Sequence, residues 1–153
     1  MQLSSIIDPG ATRFFSGVSN KKRLFQVLGD LAAEVYGVSN REATCALTDR
    51  EALGSTGVGK GIALPHARLA ELTGVIGVFI RLERPIDFNA VDRLPVDLVF
   101  ALFAPVEAGV DHLKALALVS RTLRDGSVCS KLRSNDDPAT LHAVLTEITA
   151  EAA

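Results

Sequence analysis

A chain of 153 residues with a formal charge of -2 has the length of one ordinary domain, and no stretch in it reads as a linker between two cores; it is taken as a single domain over 1–153. Hydrophobic residues make up 48% of it and aromatic ones only 5%, so the core must be built from Ala, Val, Leu and Ile. Interspersed charges leave no basic stripe for nucleic acid and no lysine run for a membrane surface. The longest apolar runs fall well short of the roughly 20 residues of a membrane span. The opening Met1-Gln2-Leu3-Ser4-Ser5-Ile6-Ile7-Asp8 lacks a basic lead-in and a long apolar core, so a cytoplasmic location is expected. Cys45 and Cys129 stand far apart without CxxC spacing and read as two reduced thiols.

In chain order, Ala11 to Val18 reads as a first strand. Ser19-Asn20 then opens a helix from Lys21 to Tyr36, whose Leu24, Val27, Leu28, Leu31, Ala32 and Val35 recur at helical spacing before Gly37 as its C-terminal cap. A second helix is expected from Asn40 to Leu53, ended by Gly54. Four glycines in the eight residues Gly54 to Gly61 argue against regular structure there. Ile62-Ala63-Leu64 is a short apolar run that meets Pro65, and His66 follows directly on a stiff mount, because proline fixes its own φ and restricts the residue before it. Gly74 to Leu82 and Val96 to Phe103 are nearly all apolar, as central strands of a sheet covered on both faces should be. Asp111 to Asp125 repeats Leu113, Leu116, Ala117, Ser120 and Leu123 at helical spacing, with His112 in its first turn. Asp136-Asp137-Pro138 starts a last helix, with Leu141, Val144, Leu145 and Ile148 as its buried stripe. The expected fold is α/β: one mixed sheet of about five strands with helices on both faces.

Gly54 to Gly61 nearly spells the nucleotide-binding pattern GxxxxGK[ST]. It fails at Gly61, which has no hydroxyl for magnesium, and it leaves a helix where a P-loop leaves a strand. Glycines that turn the chain can also bare N–H groups to an anion. A histidine that receives a phosphoryl group needs one ring nitrogen free, the other held, and donors for the transferring oxygens. Arg50, the glycine loop and a proline-braced His66 could supply these. His142 falls on the flank of the last helix's stripe and is expected to face solvent.

The run from Arg50 through Gly54-Ser55-Thr56-Gly57-Val58-Gly59-Lys60-Gly61 to Leu64-Pro65-His66 closely resembles the active-site signature of enzyme IIA domains of the fructose/mannitol class of the phosphoenolpyruvate phosphotransferase system. The likeness continues through Pro85-Ile86-Asp87-Phe88 with Asp92, Pro95 to Phe100, and His112-Leu113 with Leu116-Ala117 and Ser120-Arg121, and it is greatest to the nitrogen-regulatory branch. The resemblance implies that His66 accepts phosphate at Nε2 from an HPr-type phosphocarrier, with Arg50 and His112 in the same pocket. Ser55, Thr56, Gly57, Gly59 and Gly61 would form a phosphate-binding loop, and no metal or other cofactor is implied. Downstream, it implies regulation of nitrogen- or potassium-related targets such as a transporter, a sensor kinase or a metabolic enzyme, according to the phosphorylation state. Leu64, Leu69 and Leu72 are candidates for the surface on which a donor docks. Three other readings stand beside it: a sugar-transport IIA that hands phosphate to a IIB domain, a binding module that needs no phosphate, and a metal site using His66 and His112.

Overall fold

The computed structural model describes the backbone of residues 1–152 and the side chains of residues 1–147, so the expectation for Ile148 lies outside the described side chains. After two short 3₁₀ turns the elements are β1 (Thr12–Phe15), α1 (Lys21–Tyr36), α2 (Asn40–Ala52), β2 (Gly57–Gly59), β3 (Ile62–Ala63), β4 (His66–Leu69), β5 (Ile76–Ile86), β6 (Val96–Pro105), α3 (Val110–Arg124), α4 (Gly126–Arg133) and α5 (Pro138–Ala152). The strands form one mixed sheet in the order β1-β5-β6-β3-β2, with β4 also on β6. α1 packs on α2, while α3, α4 and α5 pack on one another, and the sheet lies between the two groups. Among the described residues no helix is long and apolar enough to cross a membrane.

The two long apolar runs become the antiparallel pair β5 and β6 at the centre of the sheet. Phe79 and Phe100 on these strands are fully buried with ring centres 6.1 Å apart, and Phe25 of α1 meets the equally buried Phe88 at 5.9 Å. Helix α1 begins where the Asn20 side chain accepts the Arg23 N–H and ends where Gly37 takes the left-handed conformation, φ 76°. Gly29 lets α2 come close: a Cβ there would lie 2.1 Å from Thr44 Oγ1 and 2.9 Å from the Asn40 carbonyl.

The edge of the sheet that carries His66 is in effect one strand broken in the middle. Ile62 and Ala63 pair in parallel with Leu98 and Val99, and His66 to Leu69 pair with Leu102 to Pro105, the pairing staying in step across Leu64-Pro65. Pro65 has no N–H to give, yet its carbonyl accepts the Leu102 N–H at 2.9 Å, so the chain stays aligned while the ladder loses one bond.

Two expectations are corrected and one helix is added. The glycine segment is not wholly irregular: Gly57–Gly59 forms a short edge strand antiparallel to β3, where Ala90 and Phe88 crowd the space a side chain on Gly57 would need. An eight-residue helix, α4, follows α3 directly, because the Asp125 carboxylate accepts the Ser127 N–H and restarts the chain in a new direction. The buried face of α3 is His112, Ala115, Leu118, Val119, Thr122 and Leu123, whereas Leu113 is 66% exposed and Ala117 also faces out. α3 carries apolar residues on more than one side, so its periodicity admitted two stripes.

Candidate functional site

A cleft of about 480 Å³ opens where the broken edge strand passes between two helices. Ala46, Asp49 and Arg50 of α2, with Leu53 just beyond it, form one wall. His66, Ala67 and Arg68 of β4 form the floor, and His112, Leu113 and Leu116 of α3 form the other wall. Three segments far apart in sequence thus converge on His66.

His66 is half-buried, and its Nδ1 lies 2.9 Å from the carbonyl oxygen of Leu64, two residues back. A carbonyl oxygen can only accept, so Nδ1 carries the proton and the lone pair of the neutral ring is on Nε2. The carbonyl is held in place because Pro65 stiffens the turn between the two residues. The His112 ring meets that of His66 edge to face, with centres 5.6 Å apart and planes at 72°. His112 is 6% exposed, and its Nε2 is buried with no hydrogen-bond partner among the described residues. Leaving a buried polar atom unmatched costs about 1–3 kcal/mol. Burial, and then electrostatic repulsion by the neighbouring His66 and Arg68, push the His112 pKa below the usual histidine value. Arg50 is half-buried on the last turn of α2 and donates from Nη1 to the Gly54 carbonyl at 3.0 Å, which fixes its guanidinium at the cleft wall.

The glycine loop lies elsewhere. None of residues 55–61 lines the cleft, and several of the groups expected to hold phosphate are engaged within the fold. The Thr56 N–H and hydroxyl both donate to the Glu51 carboxylate, the Gly57 N–H donates to Ser55 Oγ, and Ser55 Oγ donates to the Phe88 carbonyl. Gly59 faces Asp92. Gly61, at φ 81°, leaves room for the Arg133 to Asp97 ion pair, which a Cβ would meet at 2.6 and 2.8 Å. These glycines serve the backbone and the packing around it. Leu64 and Leu69 are core residues at 6% and 4% exposure, and Leu72 packs against the core; the apolar rim of the cleft is Leu53 and Leu113 instead. Arg68, which no motif marks, also lines the cleft.

His142 does not face solvent freely. It is half-buried, and its Nδ1 lies 3.3 Å from the Thr12 hydroxyl; burial lowers its pKa, opposed by Asp8. His112 and His142 therefore both take up a proton more readily in the unfolded chain. Their contribution to stability is complete above the ordinary histidine pKa of about 6.5 and is lost as pH falls from there toward the lowered native values. Urea midpoints measured on either side of that range are expected to fall on acidification, and the fall is expected to shrink in a His112→Asn/His142→Asn double variant.

The family model for "Phosphoenolpyruvate-dependent sugar phosphotransferase system, EIIA 2" matches residues 5–148. The chain belongs to this family. It is accordingly a IIA-type phosphotransfer component of a phosphorelay. Its similarity to nitrogen regulatory proteins runs the whole length: 44% identity with that of Bradyrhizobium diazoefficiens, covering all of both chains, and 39% with that of Escherichia coli K12, covering 96% of this chain and 91% of the other. Among solved structures, the nitrogen regulatory protein IIA-Ntr of Neisseria meningitidis superposes with a TM-score of 0.86 at 33% identity, over 94% of this chain and 99% of that one. The fold is also that of the IIA mannitol protein of Escherichia coli, with a TM-score of 0.73 at 22% identity over 90% and 98% of the two chains.

Proposed function

We propose that this IIA protein accepts a phosphoryl group on Nε2 of His66 from an HPr-type phosphocarrier, and that the phosphorylation state regulates its partners, as a nitrogen-regulatory IIA would. The observation that carries the reading is the Nδ1 to Leu64 carbonyl bond, which leaves the Nε2 lone pair of His66 in a cleft beside a second, buried imidazole. In the transfer, that lone pair forms the new N–P bond as the N–P bond of the donor phosphohistidine breaks, and the electron pair of the broken bond returns to the donor ring. The Nδ1 proton stays where it is. As His66 gives up electron density to phosphorus, its Nδ1–H becomes a stronger donor to the Leu64 carbonyl, which lowers the energy of the phosphorylated ring. His112, whose buried Nε2 has no partner among the described residues, is the second imidazole of the cleft and would meet a phosphoryl oxygen after a small turn of its ring, and Arg50 adds a guanidinium at the wall. Because all three groups are placed before the donor arrives, positioning is the main catalytic contribution.

Regulation then needs no large rearrangement. A phosphoryl group adds about two negative charges at the rim formed by Leu53 and Leu113, enough to reverse complementarity with a partner that docks on this apolar ring. The similarity to nitrogen regulatory proteins favours nitrogen-related targets over hand-over to a sugar-specific IIB domain. The test is incubation with phosphoenolpyruvate, enzyme I and an HPr-type carrier, followed by intact mass and peptide mapping. An acid-labile, base-stable adduct on the peptide containing His66 is the expected result. No adduct, with the carrier shown to be charged in parallel, would overturn the proposal.

A further inference from the structure

His66 is not the last residue of β4 to face the cleft. Side chains on a strand alternate, so Arg68, two residues on, shares its side of the sheet, while Ala67 and Leu69 are turned into the core. Arg68 lines the same cleft, and one of its five N–H donors, on Nη1, is used at 2.7 Å on the carbonyl of Val106, in the loop that leads into α3. That bond ties the strand carrying His66 to the loop that delivers His112. It also steadies the guanidinium at the cleft while leaving the other donors for a ligand.

The charges lining the cleft show why this matters. Apart from the imidazoles they are Asp49, Arg50 and Arg68. By formal charge Asp49 cancels only one of the two arginines, and His112 is a buried ring that resists protonation, so the lining keeps a net positive charge, and Arg68 is the arginine on the same strand as His66. From the alternation of β4, the shared cleft and the tether to Val106, we infer that Arg68 is the counter-charge of the phosphorylated site: it binds the phosphoryl oxygens on His66 and sets how far phosphate moves from the carrier onto this chain. The inference rests on His66 being the acceptor. It makes Arg68 a phosphoryl ligand beside Arg50 and His112.

The experiment is the equilibrium distribution of phosphoryl groups between carrier and chain, measured by intact mass at low and high salt for wild type, Arg68→Gln and Arg68→Lys. A charge-assisted hydrogen bond corresponds to about a tenfold change in an equilibrium constant. Arg68→Gln is expected to move the distribution about tenfold toward the carrier and to weaken its salt dependence, while Arg68→Lys, which keeps the charge, stays near wild type. In the unphosphorylated protein, the His112 titration midpoint followed by NMR is expected to rise in Arg68→Gln, since one of the charges that lowers it is gone. Wild type that is phosphorylated with the same equilibrium constant as Arg68→Gln overturns this inference and leaves the acceptor assignment standing. A slower approach to an unchanged equilibrium likewise overturns it, since Arg68 would then act only in carrier docking. Wild type that takes no phosphate from a charged carrier overturns the acceptor assignment and this inference together.

Discussion

Replacing His66 by alanine is expected to leave a folded protein that takes up no phosphoryl group at all. The side chain makes one ring hydrogen bond, to a carbonyl two residues away, and one ring contact, to His112. Their loss amounts to about 1–2 kcal/mol, or a few degrees in the unfolding midpoint of a domain this size. Chemistry is affected far more, because alanine offers no lone pair and the neighbouring donors have no bound phosphorus to act on. Intact mass after the full relay and a thermal melt on the same sample separate the two effects. If the alanine variant still carries an acid-labile adduct, the acceptor is another nucleophile, and His112, which lines the same cleft, is the next to substitute.

The fold was legible in the sequence where one physical signal dominated. The central parts of β5 and β6 are nearly all apolar, as strands covered on both faces are; α1 has one apolar stripe and a cap at each end. α3 was legible as a helix, but its buried face was not. Leu113 and Leu116 border the cleft while the polar His112 points inward, so hydrophobicity alone ranked the wrong residues. α4 was lost because Asp125-Gly126-Ser127 carries the marks of a helix end, and the same aspartate both stops α3 and caps α4. At the site, Pro65 pointed to His66 by its rigidity. The glycines signalled backbone freedom correctly but said nothing of which way their amides face, and in the fold those of Thr56 and Gly57 turn to Glu51 and Ser55. Arg68 left no trace, since its part depends on strand alternation and on a loop 38 residues away.

Stability is expected to fall most sharply when the carboxylate of Glu51 is removed. Its side chain is only 7% exposed, yet it joins three segments: α2, the start of α1 and the loop at Thr56. One oxygen takes the Lys21 ammonium at 2.6 Å and the Thr56 N–H at 2.9 Å, and the other takes the Thr56 hydroxyl at 2.6 Å. Lys21, at the start of α1, also donates to the Phe88 carbonyl at 3.0 Å and lies 4.4 Å from the centre of the Phe88 ring. Glu51→Leu leaves a buried N–H and a hydroxyl unmatched and a partly buried ammonium without its counter-charge, and breaking such a pair from one side costs about 3–5 kcal/mol. For a chain of this length that lowers the unfolding midpoint by on the order of 10 °C. Glu51→Gln keeps the shape and an acceptor for Thr56, so it is expected to recover much of the loss. The double variant Lys21→Met/Glu51→Leu removes both charges and is expected to be more stable than Glu51→Leu alone, because the orphaned ammonium goes with it. Denaturant midpoints of the three variants measure this directly; a Glu51→Leu protein as stable as wild type would mean that water replaces the carboxylate without loss. Because Glu51 follows Arg50 and holds Thr56 beyond Gly54, the same variant should also blur the placement of Arg50, whose Nη1 rests on the Gly54 carbonyl. Slower phosphoryl uptake by Glu51→Leu at a temperature where it is fully folded is therefore expected, with the acceptor His66 unchanged.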